Sequence, residues 1–245
     1  MAEKIVAERF GPDRKEIKDM LGSFVRSGMQ QRQIEAEVLF QLQAGSDTVV
    51  ATLRGTFLYL LTNPRVHAKL LREFDFAATS GHISTPITND ELRRLTYLQA
   101  VLKEAMRIQP PFPGRVPKKV PPSGDTIKGQ FVPGGTNISH NNWSVQHNAS
   151  VYGPDVDVFR PERWIDSSEE NKMRMEQTLD LNFGYGRWGC LGKSVAMREL
   201  DKVIFELLRN FEFELLRPEC PWKSRCYDLF LVEGMWVKVT TREVV

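Results

Sequence analysis

Apolar residues recur on several sides of the stretch from Gln30 to Leu61, at Ile34, Val38, Leu39, Leu42, Val49, Leu53, Phe57 and Leu60, and no proline interrupts it. That spacing predicts one long helix over 30–62, closed by Asn63-Pro64 because the residue before a proline is driven out of helical geometry. Apolar on most faces, such a helix has to be packed by neighbours on most of them. A second helical run is expected over 64–78. After a polar loop, Thr88-Asn89-Asp90-Glu91 has the spacing of a capping box, and Leu95, Leu98, Val101, Leu102 and Met106 follow at helical intervals. One helix over 89–108 is predicted, stopped by Pro110-Pro111.

From Phe112 to Pro161 the pattern changes to short β-like runs at 129–132 and 136–139 with the turn Pro133-Gly134-Gly135 between them, which predicts a small sheet with loops. Val195, Leu200, Val203, Leu207 and Leu208 restore helical spacing over 191–210, and the tail beyond reads as β-hairpins. The expected fold class is therefore mainly α with small β-sheets. No repeat, low-complexity tract or linker divides the chain, so a single domain over 1–245 is expected.

Composition narrows the function classes. With 41% hydrophobic and 26% charged residues the chain is globular, and a formal net charge of +2 is too mild to argue for a nucleic-acid partner. Cys190, Cys220 and Cys226 make an odd count without a C-x-x-C pair, against both a disulfide framework and a structural zinc site and in favour of a reducing, intracellular compartment. His67, His82, His140 and His147 form no i, i+4 pair beside a glutamate and read as surface or packing residues. No apolar stretch approaches the roughly 18 residues of a membrane span, and 1–14 lacks an apolar signal core, so neither a span nor secretion is expected.

Chemistry concentrates in four places. In 183–192, Gly184, Gly186, Gly189 and Gly192 surround Cys190; glycines let backbone approach a flat ligand, and the amides of the helix that follows favour negative charge on the sulfur. Cys220 and Cys226 have no such setting and read as packed cysteines. Ala44-Gly45-Ser46-Asp47-Thr48 places a glycine inside the long helix, at about 1 kcal/mol relative to alanine, so a ligand approaching there, or an ordinary kink or polar face, has to account for it. Glu104 and Arg107 share a helix face at i, i+3, as an exposed pair or as part of something larger, and Arg163 and Arg115 are further guanidiniums.

Taken together, these residues resemble the cytochrome P-450 family. The run Phe183 to Gly192 is similar to its haem-binding signature Phe-x-x-Gly-x-Arg-x-Cys-x-Gly, except that Trp188 stands where a basic residue is usual and Arg187 comes one place earlier. Residues 44–48 resemble its oxygen-binding groove, Glu104-Ala105-Met106-Arg107 its Glu-x-x-Arg motif, and Pro161-Glu162-Arg163-Trp164 the segment that partners it. The matches follow the family's order across nearly the whole chain and look nearest to eukaryotic, filamentous-fungal members.

The resemblance implies the C-terminal, haem-binding half of the P-450 fold, with a long central helix. It implies haem b bound through Cys190, with Phe183, Gly184, Gly192, Arg115 and Arg187 around it, Arg115 and Arg187 towards the propionates. Asp47 and Thr48 would deliver protons to bound dioxygen, and Glu104, Arg107 and Arg163 would form a buried structural network. The implied reaction inserts one oxygen atom into a small apolar organic substrate near Phe112, Pro113 and Val116, with electrons from an NADPH-dependent reductase. Lys193, Arg198 and Lys202 are either part of its docking face or a soluble helix surface. Endoplasmic-reticulum attachment is implied if a preceding part carries the family's anchor. Because the family carries a comparable length before the long helix, the alternative is a truncated haem-binding or structural fragment without activity of its own.

Overall fold

A computed structural model describes residues 2–12, 14–81 and 83–242; His82 lies outside them. The chain forms two compact units, 1–47 and 48–245. Their boundary falls inside a helix, which is why no linker composition marks it.

The first unit holds α1 (Ala2–Ala7), α2 (Met20–Arg26) and the start of α3 (Gln31–Thr62). Asp19 caps α2 by accepting the Gly22 N–H at 2.8 Å and takes a two-pronged bond from the buried Arg9 at 3.1 and 2.7 Å, which lowers its carboxyl. Ile34 is fully buried, but Leu39, Phe40 and Leu42 are exposed, as is Val50 just beyond the boundary. The long helix is thus not covered on most faces as its pattern predicts; from Ala51 onward it is, with Phe57, Leu58 and Leu60 buried.

In the second unit α3 ends at Thr62, and α4 (Pro64–Thr79), α5 (Asn89–Arg94) and α6 (Thr96–Ile108) follow. The single helix expected over 89–108 is two helices that meet at Leu95, whose ψ of 81° leaves the helical region. The capping box at the start of α5 is made, with Thr88 N–H donating to Glu91 at 2.7 Å and Glu91 N–H to Thr88 Oγ1 at 3.4 Å. The break is supported from outside: Glu73 of α4 accepts the N–H groups of Tyr97 at 2.7 Å and Leu98 at 2.9 Å, satisfying donors that a continuous helix would have bonded to its own carbonyls.

Short strands come next: β1 (Lys118–Lys119), β2 (Asp125–Ile127), β3 (Gln130–Val132) and β4 (Asn137–Ile138). The two expected runs do not pair with each other. β3 pairs with β2 and β4 with β1, all antiparallel, because Gly135 N–H donates to Val120 O and Val120 N–H to Thr136 O, drawing the chain after the Pro133 turn back onto β1. Then come α7 (Asn142–Gln146), α8 (Ala149–Tyr152), α9 (Arg163–Asp166), α10 (Glu169–Leu179) and α11 (Lys193–Asn210). The tail pairs β5 (Phe211–Leu215) with β8 (Val237–Thr241) around the hairpin of β6 (Lys223–Cys226) and β7 (Phe230–Glu233).

The core lies where α4, α6 and α11 meet, and it is built from the apolar stripes of their sequences. Leu70 and Phe74, Leu98, Val101 and Leu102, and Ile204, Phe205 and Leu208 are all buried, and the Phe74 and Phe205 rings meet edge-on at 4.7 Å. Each such side chain contributes roughly 1.5–3 kcal/mol of transfer free energy. Among the described residues no helix is long and apolar enough to cross a membrane.

Candidate functional site

The buried Met175 and Leu179 of α10 anchor the entry to the cysteine loop, which turns through a 3-10 helix at Asp180–Phe183. Gly184 then takes φ 75°, where a side chain would be strained, and a Cβ there would also stand 2.8 Å from the Trp188 carbonyl oxygen. A second 3-10 turn, Gly186–Trp188, brings the chain back so that the Cys190 N–H donates to the Phe183 carbonyl at 2.7 Å. Gly192 forms the N-cap of α11; a Cβ on it would come within 3.7 Å of Cys190 Sγ. Cys190 is a free, exposed thiol, and Tyr185, Trp188 and Leu191 beside it are large exposed side chains. The Arg187 guanidinium lies over the Trp188 ring at 4.5 Å, and Lys193 pairs with Asp180 at 2.7 Å while its ammonium sits 5.5 Å from the Phe183 ring centre.

Glu104, Arg107 and Arg163 come together with side chains 0%, 0% and 1% exposed. Arg107 gives Glu104 two parallel bonds of 2.9 Å, and Arg163 Nε reaches both carboxylate oxygens at 3.0 and 3.1 Å. The charges are therefore not an exposed surface pair. Two further donors had no signal in the sequence pattern: the Trp164 indole N–H and the Arg160 backbone N–H, each at 2.9 Å from Glu104. The guanidiniums spend their remaining donors on carbonyls, Arg107 on Gln146, Val156 and Val158, and Arg163 on Tyr152, Asp155 and Val158. Arg160, joined by Arg163, holds the Asp155 carboxyl at about 2.

Next to this cluster, Glu162 accepts from Arg65 at 3.0 Å, Lys69 at 3.2 Å and the Tyr97 hydroxyl at 2.9 Å, linking α4 and α6 to the segment before α9. Burial pushes its carboxyl up, but these donors more than offset it and hold it at about 2.

Asp47 is an exposed residue of α3 and Thr48, partly buried, follows it; the helix runs unbroken through Gly45, with Ser46 Oγ donating to the Leu42 carbonyl and Thr52 Oγ1 to the Thr48 carbonyl. Arg115 is exposed and its backbone is bridged to Asn141. The tip of the β6–β7 hairpin sits against the same loop: Asp228 Oδ1 accepts the Arg115 N–H at 3.4 Å, and a Cβ on Gly114 would lie 2.0 Å from that oxygen, so glycine is required there. His67 and His147 are half-buried, and desolvation lowers both; His147 stacks on Trp143 at 4.1 Å, while His140 is exposed. Among the described residues no cluster of His, Cys, Asp and Glu could hold a metal ion by itself.

The family model described as Cytochrome P450 matches residues 7–234, and the chain belongs to that family. Its fold is accordingly mainly helical with small sheets, and the family implies a haem-iron cofactor. Among its relatives, cytochrome P450 monooxygenase ABA1 of Pyricularia oryzae is 49% identical over 240 residues, 98% of this chain and 47% of that protein. Cytochrome P450 monooxygenase aba1 of Botryotinia fuckeliana is 42% identical over 243 residues, 99% of this chain and 48% of that protein. Pisatin demethylase of Fusarium vanettenii is 36% identical over 184 residues, 75% of this chain and 34% of that protein. The chain thus spans about half the length of the first two relatives.

Proposed function

We propose that the chain is the haem-binding, C-terminal part of a haem-thiolate monooxygenase and that Cys190 is the iron ligand of haem b. The observation that carries this reading is the cysteine loop: its backbone is closed by the Cys190 N–H bond to Phe183, and its thiol projects into the open beside large exposed side chains at the start of α11. A thiolate donor, a loop whose glycines keep side chains away from the sulfur, and an apolar rim are what a flat iron porphyrin requires, so the residues present fit the group. When bound, haem with a thiolate ligand supplies the chemistry that splits dioxygen between an organic substrate and water.

The chain's own residues do the rest. Cys190 would hold the iron, and Phe183, Gly184 and Gly192 would line the group. Arg115 and Arg187 would neutralise the propionates; the Arg187 guanidinium lies over the Trp188 ring. Asp47 and Thr48 on α3 pass protons from water, a carboxylate next to a hydroxyl. The exposed Phe112 and Val116 offer an apolar wall to a small organic substrate. Electrons come from an NADPH-dependent reductase that meets the basic side of α11 at Arg198 and Lys202, Lys193 being already paired with Asp180. Endoplasmic-reticulum attachment belongs to this reading through the longer protein.

A second reading has its own support. Because the chain covers about half of its relatives, it is alternatively a haem-binding or structural piece without turnover of its own. Reconstitution with haem decides between them. The reduced carbon monoxide complex is expected to carry the red-shifted thiolate band and to lose it in Cys190→Ser; an unchanged spectrum in that variant overturns the ligand assignment. Product formation with added reductase supports turnover, and its absence with an intact spectrum favours the second reading.

A further inference from the structure

Asn142 and Gln146 open and close α7 and are 3% and 0% exposed. A carboxamide carries two donors and an acceptor, so one that is buried marks a place where definite partners have been built around it. Asn142 Nδ2 donates to the Phe112 carbonyl at 2.8 Å and to Asn182 Oδ1 at 2.7 Å. Asn182 in turn donates to the Met106 carbonyl of α6 at 3.2 Å. The backbone repeats the connection, with Asn142 N–H on the Gly114 carbonyl at 3.2 Å and Trp143 N–H on that of Pro113 at 2.9 Å. Behind it, Gln146 Nε2 donates to Asn142 Oδ1 at 3.4 Å and to the Thr178 carbonyl at 2.9 Å, and Gln146 Oε1 accepts the Tyr152 hydroxyl at 2.8 Å.

The placement of these bonds is specific. The two hydrogens of one amide nitrogen diverge at a fixed angle, and here one points to the 112–115 loop and the other to the residue directly before Phe183. Phe183 is the acceptor that closes the cysteine loop on the Cys190 N–H. An apolar side chain of the same volume would keep the backbone bonds to Pro113 and Gly114 but would lose the link to Asn182, and with it the tie to the residue before Phe183.

We propose that Asn142, acting through Asn182, is a positioning residue that holds the Cys190 loop in register with the 112–115 loop. The assignment rests on Cys190 as the haem ligand and goes beyond it: the site's two walls are set against each other by one buried amide, outside every motif of the sequence.

The test needs no turnover. In the haem-free chain, amide hydrogen exchange at Cys190 reads the closure of the loop, and exchange at Gly22, whose N–H is held by Asp19 in the first unit, reads a local opening that leaves the loop closed. Asn142→Leu and Asn182→Ala are each expected to speed exchange at Cys190 about fivefold, the population shift that losing one net hydrogen bond produces, while Gly22 keeps its rate. The double variant is expected to be no faster than either single one, because the two residues act in series. In the haem-loaded chain the same variants are expected to shift part of the reduced carbon monoxide complex from the thiolate band to that of a neutral thiol. Unchanged exchange at Cys190, equal acceleration at Gly22, or additive effects in the double variant overturn the proposal. If Asn142→Leu does not fold, Asn182→Ala, at a half-buried position, decides alone. A parent spectrum that survives Cys190→Ser defeats the ligand reading and leaves the exchange result standing, so the two failures are told apart.

Discussion

Glu104 has no contact with solvent, yet its carboxylate is shared by two guanidiniums, an indole and a backbone amide. Removing one partner of a buried ion cluster typically costs about 3–5 kcal/mol, because the charge left behind has no water to turn to. Glu104→Ala is therefore expected to lower the urea midpoint sharply and to abolish haem incorporation; normal haem content in that variant would show that the cluster does not govern the pocket. Asp201 poses the opposite problem. It stands on α11 with Gln99 Nε2 as donor at 2.9 Å, and burial lifts its carboxyl to about 6 from the ordinary 3.8. Folding thus favours its protonated form, so its contribution is complete below about pH 4 and is lost as the pH rises through 6. Asp201→Asn is expected to stabilise the chain by on the order of 2–3 kcal/mol at pH 8 and hardly at all at pH 4, measured as thermal midpoints. Asp155 and Glu162, held at about 2, act with the reverse sign, losing their contribution only as the pH falls from about 4 towards 2.

At the scale of elements, the junction at Leu95 depends on a residue from another helix. Glu73 does for α6 what an N-cap side chain ordinarily does, accepting two backbone N–H groups that the chain's own turn leaves open. Burial raises its carboxyl and those same bonds lower it, with burial the stronger. Glu73→Ala is expected to destabilise the chain by about 1–2 kcal/mol, read as a shift in denaturation midpoint; an unchanged midpoint would mean that water replaces the cap. This junction also explains what the sequence concealed. The apolar stripes of α4, α6 and α11 are local and periodic, so those helices were legible, whereas the break at Leu95 is licensed by an acceptor 24 residues upstream of Tyr97. The pairing of β4 with β1 rather than β3 was equally non-local. Glu104 and Arg107 could be placed on one face by spacing, but Arg163 was connected to them only by resemblance. Asn142 and Gln146, buried amides in a short helix, and Asn182, half-buried in a 3-10 turn, were invisible because such segments have the same composition as a loop.

For the molecule as a whole, the part of α3 before Ala51 bares Leu39, Phe40, Leu42 and Val50. Large apolar side chains exposed in this number invite association. The purified chain is expected to bind an apolar fluorescent dye such as ANS strongly under native conditions, and Leu39→Ser with Phe40→Ser to reduce that signal by half or more; unaltered fluorescence would place the sticky surface elsewhere. The cluster around Glu104 has a different consequence, one of timing. Apart from Arg107, the groups that neutralise and saturate this carboxylate lie 56, 59 and 60 residues further along the chain. A ribosome delivers α6 well before it delivers them, so the helix has to keep Glu104 hydrated until Trp164 has emerged. Closure of this core is therefore a late event in synthesis, and until then the nascent chain depends on whatever shields its unfinished apolar face.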